Sequence, residues 1–122
     1  MGAVTSEALI RDNLVIGSAD ELTTDHITII SGAGVLVRGT VLGKITASGK
    51  YITCLSAAGD GSNAADAILA EAVDATAGDK VAAVYLSGEF NQAALTFGTG
   101  TTIANSKDPL RLKGIFLKTV TP

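Results

Sequence analysis

Few residues in this chain have the type and spacing that chemistry requires. Gly39-Thr-Val-Leu-Gly-Lys44 sets a lysine behind two glycines, as a phosphate-cradling loop does. Such a loop needs four residues between its glycines and a Ser or Thr after the lysine to hold magnesium. Here three residues intervene and Ile45 follows, so the stretch reads as a strand with a bulge. Gly32-Ala-Gly34 has no third glycine at dinucleotide spacing and reads as a turn. Asp60-Gly-Ser-Asn-Ala-Ala-Asp66 puts carboxylates among small residues, but without the alternating ligands and closing glutamate of a calcium loop. It reads as a solvated loop.

Glu71, Asp74, Asp79 and Glu89 are the candidates for paired acid–base work, with no His, Lys or Tyr at a spacing that makes a partner of one of them. His26 is the only histidine and Cys54 the only cysteine, so neither a histidine-rich metal site nor an internal disulfide is available. His26 is expected as a polar neighbour at a strand start, and Cys54 as a small buried apolar group. No G-x-S-x-G elbow supports a hydrolytic triad. The expectation is a non-enzyme with no cofactor and no metal.

Composition narrows the class further. The chain has 122 residues, 47% of them hydrophobic but only 4% aromatic, with no Trp. That is one domain, or one domain with an arm, whose core is built from Ala, Val, Ile and Leu. A modest core of this kind makes self-association an expected further source of burial. The formal charge is −3, and the few cations, such as Arg38, Lys44, Lys50, Lys107, Arg111, Lys113 and Lys118, form no run. This argues against nucleic acid and anionic lipid as partners. No basic-then-apolar leader and no span-length apolar run is present, so no membrane is expected.

The elements that must position these residues read as short strands joined by glycine turns. Ile27–Ile30, Val35–Arg38, Val41–Thr46, Tyr51–Leu55, Val81–Leu86 and Ile115–Val120 are β-like. Ala47-Ser-Gly-Lys50 makes a hairpin of the third and fourth. Ala67–Asp74 fits either a helical stripe or a buried strand. The turn Ala77-Gly-Asp79 and the strand after it favour the strand, in a hairpin with Val81–Leu86. One helical turn is expected over Asn91–Leu95, capped by Asn91. A second short helix is expected to start at Asp108-Pro109 and stop at Gly114.

Residues 1–25 differ from the rest. Ser6–Ile16 reads either as a helix capped by Ser6 or as an arm that orders on a partner, and the small apolar patch Leu14-Val-Ile16 favours the arm. The division is therefore an arm over 1–25 and a β-rich domain over 26–122. Deleting residues 2–20 is expected to leave the body folded.

The stretches Arg38–Tyr51 (RGTVLGKITASGKY), Ser56–Ser62 (SAAGDGS), Ala67–Asp79 (AILAEAVDATAGD), Tyr85–Asn91 (YLSGEFN) and Leu110–Val120 (LRLKGIFLKTV) follow one another as in a known family. From about Ile27 onward the chain resembles the head decoration proteins of lambda-type tailed phages. The resemblance implies a mainly β fold, a small single domain of the β-clip kind with one or two helical turns and an extended N-terminal arm. It implies a homotrimer on the outer surface of the virion's expanded capsid, bound to the major capsid protein and made in the host cytoplasm. It further implies an arm that adds to the coat protein, for which Thr5, Leu9, Ile10, Leu14, Val15 and Ile16 are the candidate contacts. The rival readings are a small β-clip nucleotide hydrolase and a surface-binding module.

Overall fold

A twelve-residue strand organises the molecule. In the computed structural model, which describes residues 13–16 and 22–119, β8 (Lys80–Asn91) pairs with four other strands. Its first half runs antiparallel to β2 (Thr23–Ile29) and to β6 (Ala65–Leu69). Its last residues run antiparallel to β1 (Val15–Ile16) and parallel to β9 (Ile115–Lys118). The registers overlap, so β1 and β9 lie on opposite edges of β8, as do β2 and β6.

Between β2 and β6 the sheet continues through β5 (Tyr51–Thr53) and β4 (Val41–Lys44), and the β6–β8 pairing closes a five-stranded barrel-like sheet. The closure is thin at one seam, where β2 meets β5 only at Ile29 and Tyr51. A two-stranded ribbon of β3 (Val35–Leu36) and β7 (Val73–Asp74) sits apart from this path. The molecule is mainly β, one small domain with a single α-helix among its described residues.

Local chemistry explains these elements. The β4–β5 hairpin turns through Gly49 at φ 75°, a left-handed position that glycine occupies without penalty. The register of β4 on β6 shifts between Leu42 and Gly43, so the bulge expected in Gly39–Lys44 is present. Gly43 is needed there for space, because a Cβ on it would collide with the Ser62 carbonyl. A turn at Gln92–Ala94 starts at Asn91, whose side chain accepts a hydrogen bond from the Ala93 N–H at 3.1 Å.

Three expectations need correction. The helix does not start at Asp108-Pro109: α1 spans Ile103–Leu112, with Pro109 inside it. Thr102 caps it through the Asn105 N–H at 3.1 Å, and the Asn105 side chain accepts from the Thr102 N–H at 2.7 Å. This reciprocal box satisfies two end donors and fixes the start earlier than proline does. Gly114, at φ 89°, does stop the helix. Ala67–Asp74 is extended but is not one strand. It breaks after Leu69, and Glu71 accepts from the Ala83 N–H at 2.9 Å while β7 pairs with β3 instead of β8. Finally, β8 runs on past Leu86 because Gly88, at φ 134°, turns it out of the barrel without ending it.

Two groups of buried side chains hold the layers together. One joins Leu14, Val41, Ile68, Phe90, Leu110 and Ile115; the other joins Ile29, Leu42, Tyr51, Leu69, Ala82 and Val84. Neighbours Val41 and Leu42 are both fully buried, so β4 is covered on both faces. Each large side chain taken out of water contributes about 2 kcal/mol.

Candidate docking surface

The groups that suggested chemistry are each held by the fold. Asp60 accepts from the Ser62 N–H at 3.0 Å and from its hydroxyl, a closed turn that holds the carboxyl below its ordinary range. Asp74 accepts from the Thr76 N–H at 3.0 Å and is likewise lowered by Thr76. Asp79 bridges Lys50, at 2.6 Å, and the Ser31 N–H, at 2.7 Å, and is lowered by both. Glu89 lies 3.6 Å from Lys118. With Glu71 on Ala83, these carboxylates serve separate local partners and do not converge.

His26 lies exposed within β2 as its fourth residue. Cys54 is buried, and burial raises its thiol above the ordinary range. The Tyr51 phenol donates to Asp66 at 3.0 Å, and Lys113 lies 3.0 Å from the other Asp66 oxygen. Burial, then the Asp66 charge, pushes Tyr51 up to about 12. No cluster of three His, Cys, Asp or Glu suited to a metal ion occurs among the described residues. No helix described is long and apolar enough to cross a membrane.

Of the six candidate arm residues, Thr5, Leu9 and Ile10 lie outside the described residues. The other three belong to the body's sheet. Leu14 is 1% exposed and packs in the first core group, and its carbonyl accepts from the Asn91 N–H at 2.8 Å. Val15 and Ile16 pair with Phe90 and Glu89 and are half-buried. The boundary at residue 25 falls inside β2.

One outward-facing surface lies where α1 meets β9. Ile115 and Leu117 point into the core, so Phe116 and Lys118 point out. Lys107 and Arg111, four apart on α1, stand beside them and complete a groove of about 430 Å³. Leu112 tops the helix at 86% exposed, and Phe116 is 42% exposed. In sequence these cations are scattered, and only the i, i+4 spacing of Lys107 and Arg111 hints that a helix aligns them.

This groove sits at a particular end of the molecule. Across Asn91, β9 places Lys118 on one side and β1 brings the Leu14 carbonyl to the other. At two strand spacings they are about 10 Å apart. The chain enters β1 and leaves β9 at this same end.

A comparison with curated proteins gave no match. A family model, that of the bacteriophage lambda head decoration protein D, matches residues 3–112, which is most of the chain. With its ordered run of motifs and its small mainly β domain, the chain belongs to the bacteriophage lambda head decoration protein D family.

Proposed function

We propose that this protein binds as a homotrimer to the outside of the expanded phage head, against the major capsid protein, and braces the shell against internal DNA pressure. The observation that carries this reading is the family match over residues 3–112. The structure is consistent with work by contact: the acidic groups that acid–base chemistry would use are spent on turns and ion pairs of the fold. No catalytic step is assigned to any of them.

Residues 1–12 are the arm in this reading, with Thr5, Leu9 and Ile10 as its coat contacts. Twelve extended residues reach about 40 Å, enough to leave the body and lie along a neighbouring sheet edge. Leu14, Val15 and Ile16 then act as the anchor that ties the arm to β8. Three arms on one trimer combine weak contacts into avidity. Because binding only to the expanded shell stabilises that state by mass action, the shell resists reversal and rupture.

The test mixes purified protein with expanded, undecorated shells of its cognate coat protein and images them. Density at three-fold positions is expected, and shells bearing it should survive conditions that burst bare ones. Removal of residues 2–12 should lower occupancy at matched concentration while leaving the unfolding midpoint unchanged. Single-copy density away from three-folds, or equal occupancy without the arm, refutes the trimer or the arm respectively.

A further inference from the structure

We infer that the groove between α1 and β9 is a second docking site for the shell, and that its occupant is an acidic, partly apolar, extended segment of the coat protein. This rests on the proposed decoration reading and names a partner chemistry that the reading leaves open. Three observations converge. First, the groove is lined by the cations Lys107, Arg111 and Lys118 and by no carboxylate among the described residues, in a chain whose formal charge is −3. The ion pairs there, Arg111 with Asp108 at 3.3 Å and Lys118 with Glu89 at 3.6 Å, have at least one exposed member, and water and salt screen such pairs. Their cations remain open to a better-placed carboxylate. Second, Phe116 exposes apolar surface among those cations in the groove's lining, so the face suits a segment that alternates acidic and apolar side chains. Third, β9 pairs with β8 on one edge, and its other edge carries no strand among the described residues. An extended segment therefore has backbone groups to pair with.

Position selects the coat protein over a second copy of this chain. The groove lies at the end where the chain enters β1, about 10 Å from Leu14 across β8. An arm laid on the shell brings this groove down against the same surface. Two adjacent contacts on one rigid sheet act together, and the basic groove steers an acidic surface into register.

The test uses the full-length protein with Lys107→Glu and Arg111→Glu together, and separately with Phe116→Ser. The probe is the expanded, undecorated shell. Both variants should keep the wild-type unfolding midpoint and free oligomeric state. Each should lose at least about tenfold in shell affinity. The charge variant should also lose most of the wild-type salt dependence, which the apolar variant keeps. Wild-type affinity and salt dependence in both variants overturn the inference while leaving decoration standing. Loss of free self-association in place of shell affinity also overturns it, since the groove would then seat a second copy. A wild-type protein that fails to bind shells refutes the decoration reading itself.

Discussion

Leu14→Ala is expected to destabilise the body by about 3 kcal/mol, although the sequence assigns the residue to an arm. The side chain is 1% exposed and packs in the core group with Val41, Phe90, Leu110 and Ile115. Truncation removes three carbons and leaves a cavity, which for buried leucines costs about 2–5 kcal/mol. Collapse into that cavity is limited because the surrounding Val41, Phe90, Leu110 and Ile115 are themselves fully buried on three strands and the helix. The middle of the range therefore applies. For a chain of this size about 3 kcal/mol corresponds to a fall of roughly 10–15 °C in melting temperature. Urea unfolding of the variant, the wild type and the 2–12 deletion gives the comparison. The variant should lose midpoint with an unchanged slope, and the deletion should stay within about 0.5 kcal/mol of wild type. A deletion of 2–20 removes Leu14 and β1 together and should be at least as destabilising as the point variant. A Leu14→Ala cost below about 1 kcal/mol would show that β1 is not part of the folded body, and the division between arm and body would return to residue 25.

Other consequences follow from single contacts. Thr102→Ala and Asn105→Ala should each cost about 1 kcal/mol in unfolding free energy, and the double variant should cost less than their sum because the two share one capping box. Gly43→Ala should cost about 3 kcal/mol or more, since the new methyl meets the Ser62 carbonyl, whereas Gly59→Ala, with open space around it, should be near neutral in the same melts. Ultraviolet titration should show Tyr51 ionising near pH 12, and Tyr51→Phe should abolish that step. Because the folded phenol holds its proton more tightly than the unfolded one, its contribution is complete below pH 10 and is lost as pH rises from about 10 to 12. Stability of the wild type should decline over that window more steeply than that of Tyr51→Phe.

The parts of the fold that depend on neighbours in sequence were legible in the chain. The hairpin around Gly49, the Asn91 cap and the Gly114 stop each rest on one residue type in one required conformation. The helix start was missed because Asp108-Pro109 is a strong start signal. The operative signal was a capping box with asparagine in the place usually held by Glu or Gln. Ala67–Asp74 read as one strand because nothing local marks the break. The break comes from Glu71 reaching Ala83 and from β3 claiming β7, both set by distant chain. The docking groove was least legible of all. Lys107, Arg111, Phe116 and Lys118 become one surface only when α1 turns at Gly114 and lies along β9.

The long strand β8 explains how one small domain can be both rigid and adhesive. Its first half is closed between β2 and β6, with Ala82 and Val84 fully buried, and belongs to the barrel. At Gly88 it leaves the barrel, and its last residues carry β1 on one edge and β9 on the other. Phe90 and Leu14 fill the core beneath, while Phe116 and Lys118 stand on the outside. Force applied at the proposed arm or groove passes through β1 or β9 into β8, and β8 can yield only if the barrel opens. A strand shared in this way couples the proposed docking to global stability, because β8 runs unbroken from the barrel through Gly88 to the residues that pair with β1 and β9. In the proposed bracing role, tension from the shell would fall on the whole hydrogen-bonded barrel.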